Sequence, residues 1–250
     1  MTRLDWDQSG QRYYETGVDR GVLFVEGDPG VPWTGLVSFT STHNGGTSTP
    51  RYLDGVKISN RSSPEEFEGT IEAYTYPVEF ERCDGTYMAQ SGLRVNQQRR
   101  KPFNMVYRSK IGNEIEGLER AYKIHLLYNL TAEPTDRAYQ TLKDQNDPLT
   151  FSWKVTSRGE VVEGFRPTAH FTVDTRDIPS ALLSSLEDLL YGTDTTSPSI
   201  PTPGELLFMF DSYLDTVYDA GSPYTPVFAT YDAGTTATAV VSTIDGGGAL

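Results

Sequence analysis

Apolar and polar residues alternate with a period of two along much of the chain, which is the signature of strands with one buried face. Phe103, Met105 and Tyr107 alternate with Asn104, Val106 and Arg108, and Tyr122, Ile124, Leu126 and Tyr128 alternate with Lys123, His125, Leu127 and Asn129. Between them, residues 112–117 carry glycine at both ends and Asn113, a residue that tolerates turn geometry. The pair predicts an antiparallel hairpin at the centre of the fold. Residues 21–25 read as a buried strand, followed by a turn at Gly27-Asp28-Pro29-Gly30. Trp33, Gly35, Val37 and Phe39 predict the next strand, Asn44-Gly45-Gly46 a flexible tip, and residues 52–58 a short or bulged strand across Asp54-Gly55. In residues 66–76, Phe67, Ile71 and Ala73 share one face with Gly69, while Glu66, Glu68, Thr70 and Glu72 share the other. Phe151, Trp153 and Val155 predict another strand, and residues 161–174 one or two more, with Ala169, Phe171 and Val173 on one face.

Two segments change the period to that of a helix. In residues 178–191, Ile178, Leu182, Leu186, Leu189 and Leu190 form a stripe, with Asp177 as the expected N-cap and Gly192 as the stop. Thr202-Pro203-Gly204-Glu205 is a capping box ahead of Leu206, Phe210, Tyr213, Leu214 and Val217. Residues 81–101 show no sustained period and read as a long polar loop ending in Arg99, Arg100 and Lys101. The expected organisation is an N-terminal arm over 1–19, a β domain over 20–192, a linker over 193–201 and a small helix-and-strand appendage over 202–250. Trp6, Tyr13 and Tyr14 make the arm a docking segment, with the basic triplet of the long loop as a second contact candidate.

Composition narrows the function. With 15 Tyr, 11 Phe, 23 Gly and 15 Pro in 250 residues, strands and turns dominate over helices. No apolar run is long enough to span a bilayer, and the N-terminus lacks the apolar segment of a secretory signal. The single Cys83 cannot form an intrachain disulfide, so cytoplasmic synthesis is the simple expectation. The net charge is 21 − 34 = −13, concentrated in residues 171–250, where Arg176 stands against 11 acids. Such a chain is a poor general ligand for nucleic acid and can present a surface that repels it.

No catalytic or cofactor chemistry is legible. His43, His125 and His170 lie far apart, without the short spacing of a zinc site, and hydrogen-bonded or exposed histidines are expected. Cys83 sits among Glu81, Arg82 and Asp84, mixed charge that gives no reason for an activated thiol. Glu66, Glu68, Glu72 and Glu79 could be paired carboxylates of a glycosidase, but a solvated sheet face shows the same pattern far more often. No phosphate loop, nucleophile elbow or calcium loop is present, so no enzyme, metal or cofactor is expected.

An ordered series of segments resembles the major tail protein, or tail tube protein, of long-tailed bacteriophages of actinobacteria. These are residues 13–23 (YYETGVDRGVL), 33–36 (WTGL), 52–55 (YLDG), 70–80 (TIEAYTYPVEF), 103–129, 166–170 (RPTAH) and 178–192. The resemblance covers residues 10–195. It implies a β-sandwich or partly closed barrel with a flanking helix, in hexameric rings that stack into the tail tube, a conduit through which DNA is ejected. It also implies a virion location after assembly in the host cytoplasm, self-association, other tail proteins at the tube ends, and passage of DNA without specific binding. On that basis Glu66, Glu68 and Glu72 are expected to face the lumen. Trp6, Tyr13, Tyr14, Arg99, Arg100 and Lys101, with the loops 41–50 and 81–101, are expected at subunit contacts. Alternatives are a terminator or contractile-tail inner tube subunit, a β-sandwich glycan-binding module, and an enzyme using the acidic strand.

Overall fold

A computed structural model describes residues 6–45, 48–54, 56–62, 65–137, 139, 141 and 148–218. Its main element is a sheet of eight strands in the order β2-β1-β9-β10-β11-β6-β3, with β12 as a second neighbour of β10. The strands are β1 (Tyr13–Val25), β2 (Val31–Trp33), β3 (Leu36–Asn44), β6 (Glu66–Ala73), β9 (Phe103–Asn113), β10 (Gly117–Ala132), β11 (Phe151–Ser157) and β12 (His170–Asp174). Two outlying hairpins pair β4 (Ser48–Leu53) with β5 (Val56–Ser62) and β7 (Tyr87–Gln90) with β8 (Leu93–Val95). The helices are α1 (Glu81–Asp84), α2 (Ser180–Tyr191) and α3 (Pro203–Tyr218).

Every ladder is antiparallel. β2 and β3 lie at opposite ends of the strand order, yet only Thr34 and Gly35 separate them in the chain. The sheet must therefore curl until its ends meet, which makes a partly closed barrel with β2–β3 as its bent closing segment. Gly35 takes a φ of +83°, and a Cβ there would come within 2.7 Å of the Thr75 side chain, so the bend requires glycine. The expected single strand over 33–40 is thus broken. A register shift between Leu36 and Ser38 then leaves Val37 outside while Leu36 and Phe39 pack on the core.

The curl gives β1, β9 and β10 two buried faces. Inside the barrel, Leu23, Met105, Leu127, Trp153 and Ile71 meet an aromatic group in which Phe80 lies 4.7 Å from Trp33 and 5.0 Å from Trp153. Outside, Val22, Val106, Ile124, Leu126 and Val173 pack under Leu186 and Leu190 of α2 and Leu206 of α3. The face of β10 opposite Ile124 and Leu126 is therefore barrel interior, and His125 on it is buried. Ala169 precedes β12 and packs inside, whereas Phe171 and Val173 pack outside with the helices.

Local signals explain the ends of the elements. Asn113 turns the central hairpin through its side chain, whose Oδ1 accepts from the amides of Ile115 and Glu116 at 3.1 and 2.6 Å, and Gly117 supplies the positive φ. α2 starts later than the Asp177 cap implied: its N-cap is Pro179, with no side-chain bond, and Gly192 ends it with a φ of +79°. The capping box of α3 is formed as expected, Thr202 N donating to Glu205 Oε2 at 2.8 Å and Glu205 N to Thr202 Oγ1 at 3.3 Å. Contacts divide the chain into a compact unit over residues 1–211 and a second over 212–250. The strand-like runs expected over 224–244 lie outside the described residues.

Candidate functional site

Among the described residues, no helix or second layer packs on the outer face of β3, β6 and β11. Register places Ser38, Glu72 and Ser152 in one row, Thr40, Thr70 and Lys154 in the next, then Thr42, Glu68 and Thr156, and finally Asn44 beside Glu66. The alternation expected for β6 holds: Phe67, Ile71 and Ala73 are buried, and Glu66, Glu68, Thr70 and Glu72 are not. Gly69 keeps the inner side flat because the Phe39 ring lies over it, and a Cβ would sit 2.9 Å from that ring. With Glu133, which reaches Lys154 at 3.7 Å, the face carries four carboxylates and one ammonium, 1 − 4 = −3. Lys154 also pairs with Glu68 at 3.1 Å, and Ser38 donates to Glu72 at 2.8 Å. Hydrogen bonds from Asn44 and then Lys154 hold the Glu68 carboxyl below its usual range. The face is acidic and rich in hydroxyls.

The contact candidates separate into two groups. Tyr13 and Tyr14 belong to β1 and not to an irregular arm: they pair with Asn113 and Gly112 and remain about half exposed. Arg176 lies 5.0 Å over the Tyr13 ring, and Trp6 is 73% exposed nearby in sequence. Arg99, Arg100 and Lys101 precede Phe103, at the other end of β9. Eleven residues of strand separate the two groups, about 35 Å. Arg99 and Lys101 are exposed, whereas Arg100 lies half-buried against Gly85.

The loops around them are more ordered than the sequence suggests. The long loop over 81–101 contains α1 and the β7–β8 hairpin, pinned by Gln98 N to Gly85 O and Lys101 N to Arg82 O. Arg94–Glu81 ties the segment to itself, and the ion pairs Arg82–Asp28 and Arg137–Asp84 fasten it to its surroundings. It leaves Met88, Leu93 and Val95 exposed. Of the tip expected at Asn44-Gly45-Gly46, Asn44 ends β3 and Gly46 lies outside the described residues, and β4 pairs with β5 from Ser48–Ser62 to Leu53–Val56. Leu53 and Val56 are register partners, Ile58 lies two positions on, and all three are at least 60% exposed. A two-stranded ribbon with one apolar stripe lacks the third layer it needs for stability alone.

Cys83 is buried in the inner core, and burial pushes its thiol up to about 12, which makes it inert. The sequence reading missed a polar chain inside the sheet. Ser109 donates to Glu15 at 2.6 Å and meets His125 Nε2 at 2.9 Å, and His125 Nδ1 lies 3.0 Å from His170 Nε2. Its sequence signal was Ser109 and His125 within the two strands of the central hairpin. Among the described residues, no three His, Cys, Asp or Glu converge on a metal-sized site. No helix among them is long and apolar enough to cross a membrane.

No family model matches the chain, and no curated protein matches it. Among solved structures, it is similar to a chain of the sheath–tube complex of the PVC extracellular contractile injection system in its extended state. The identity is 13%, over 62% of this chain and 89% of that one, with a TM-score of 0.31. It is also similar to a chain of the baseplate of the anti-feeding prophage, at 9% identity over 68% of this chain and 97% of that one, with a TM-score of 0.34.

Proposed function

We propose that the chain is a structural subunit of a phage tail: copies close into hexameric rings, the rings stack into a tube, and DNA leaves through the lumen. The observation that carries this reading is the pairing of an uncovered acidic, hydroxyl-rich sheet face with strand edges that lack a neighbour. Among the described residues, β3 is hydrogen-bonded in ladders on one side only and residues 13–16 of β1 pair only with β9. An open edge is an aggregation hazard in a monomer and a joining surface in a ring. Edge joining between copies would extend the β3–β6–β11 face around a channel. Glu66, Glu68 and Glu72 would then line it and repel phosphates within a Debye length, about 8 Å at physiological salt.

Stacking needs two different surfaces on one subunit, because head-to-tail contacts do not close. Two groups of contact candidates at opposite ends of β9, exposed except for the half-buried Arg100, meet that need, with the β4–β5 and β7–β8 hairpins as apolar contacts. The ordered sequence resemblance to tail tube proteins supports the same reading and its actinobacteriophage setting. Other tail proteins would meet the tube at its ends, in a virion assembled in the host cytoplasm.

Negative-stain microscopy of the purified protein across concentration and salt tests the proposal. Rings or stacked tubes with a central channel are expected. A protein that stays monomeric throughout, by microscopy and by sedimentation, overturns it.

A further inference from the structure

Trp6 is 73% exposed, whereas Trp33 and Trp153 are buried in the barrel. The segment that carries it is anchored four residues on. Gly10 N donates to Glu114 Oε1 at 2.7 Å, and Asn113 Nδ2 donates to Gly10 O at 3.2 Å. The segment is therefore pinned to the β9–β10 hairpin, at the end of β9 marked by Asn113, with the indole held out beyond the pin. Tryptophan is among the side chains that carry most of the energy of protein interfaces.

A cleft of about 310 Å³ opens between residues 78–82 and β7. Val78 and Met88 line it with Thr86 and Tyr87, and both apolar side chains are more than half exposed. The cleft belongs to the other end of β9. Tyr87 Oη donates to Arg99 O at 3.0 Å and Lys101 N to Arg82 O at 3.1 Å, so the exposed Arg99 and Lys101 border it just ahead of Phe103. Glu81 and Arg82 also line it and are matched by Arg94 and Asp28, which leaves Glu79 as the remaining carboxylate of the lining.

We propose that the Trp6 segment of one copy seats in this cleft of a second copy in the adjoining ring, an inference that rests on the stacking reading above. Reach excludes the chain's own cleft. Four residues from Gly10 to Trp6 span at most about 14 Å, whereas about 35 Å of β9 separates the pin from the cleft. Charge favours the same pairing. Residues 1–12 and 113–120 carry three basic and five acidic side chains, 3 − 5 = −2, and Trp6 stands between Asp5 and Asp7. Residues 78–101 carry five basic and three acidic ones, 5 − 3 = +2, in a chain of net charge −13. Unlike surfaces attract, while segment-to-segment and cleft-to-cleft approaches repel, so charge sets the polarity of stacking. Each contact leaves one segment and one cleft free, so stacking propagates and does not close.

Tubes of the full chain test this. Ser9→Cys and Ala89→Cys place thiols at exposed positions beside the segment and beside the cleft, and Cys83 is buried. A bifunctional maleimide should join the two variants to each other in mixed tubes, giving dimers on a denaturing gel, and should give none in tubes of either variant alone. Trp6→Ala should keep the circular dichroism of the natural protein and still form rings, but should raise the concentration needed for tubes at least about tenfold. In the natural protein, acrylamide should quench one class of tryptophan in separate rings and lose that class in tubes, because only Trp6 is exposed. Mixed tubes without cross-links, cross-links between like variants or within separate rings, or Trp6→Ala tubes at the natural concentration each overturn the proposal while leaving the tube itself standing. A natural chain that never assembles overturns the stacking reading instead, and the proposal with it.

Discussion

Two buried side chains show how single residues hold this sheet. Arg108 sits at the bulge of β1, where it grips Asp19 through two hydrogen bonds of 2.9 and 3.1 Å and lies 4.4 Å over the Tyr122 ring. Tyr122 in turn donates to Glu187 of α2 at 2.8 Å, so the helix and the bulge share one network. Arg108→Met strands Asp19 in a half-buried site. Urea unfolding should show a loss on the order of 2–4 kcal/mol, because removing the guanidinium leaves the Asp19 charge to the more distant Lys110 at 3.7 Å. Burial raises the Asp19 carboxyl, but the hydrogen bonds and charge of Arg108, with Lys110, hold it below 3.8. Its contribution is therefore present above 3.8 and lost as the pH falls further. Cys83 gives a second prediction. A thiol reagent at pH 8 should leave it unmodified in the folded protein and react fully in urea, since burial suppresses the thiolate. The Asp19–Arg108 pairing could not be read from the chain, because the two are 89 residues apart and meet only through β1–β9 pairing.

Strands were legible as elements because half-burial writes a two-residue period, and β6 and β11 follow it closely. Their phase was not. The bulge in β3 and the break at Gly35 arise from closure of the sheet, a demand that no local window contains. The β7–β8 hairpin escaped notice because its exposed Met88, Leu93 and Val95 show no buried face to set a period. The same absence of cover marks the β4–β5 hairpin as a contact element. Replacing residues 49–61 by a tight turn should leave far-ultraviolet circular dichroism and the unfolding midpoint nearly unchanged, since none of those with described side chains enters the core. It should abolish tubes in the microscope. Loss of fold in this variant would instead make the hairpin part of the barrel. At α3, Thr202→Ala removes a cap that is formed on both sides, and a cost of about 1 kcal/mol is expected in thermal or urea unfolding.

At the scale of the whole molecule, one sheet divides its surface between two tasks. Helices cover the outside of β1, β9, β10 and β12, and the outside of β3, β6 and β11 is left to water, carboxylates and hydroxyls. If that second face lines a channel, Glu66→Lys, Glu68→Lys and Glu72→Lys together turn its charge from −3 to +3. Tubes of the triple variant should retain DNA in co-sedimentation at low salt and release it as salt rises, while the natural protein retains none. Equal behaviour of the two would place the face elsewhere than the lumen. The sequence by itself determined the β character, the acidic face of β6, the amphipathic α2 and the capping box of α3, because periodicity and capping are local consequences of burial and backbone satisfaction. Only the tertiary structure decided that β10 is buried on both faces, that β2 and β3 close the barrel, and that Glu15, Ser109, His125 and His170 form one line. Those facts depend on register between strands far apart in the chain, which side-chain alternation leaves open.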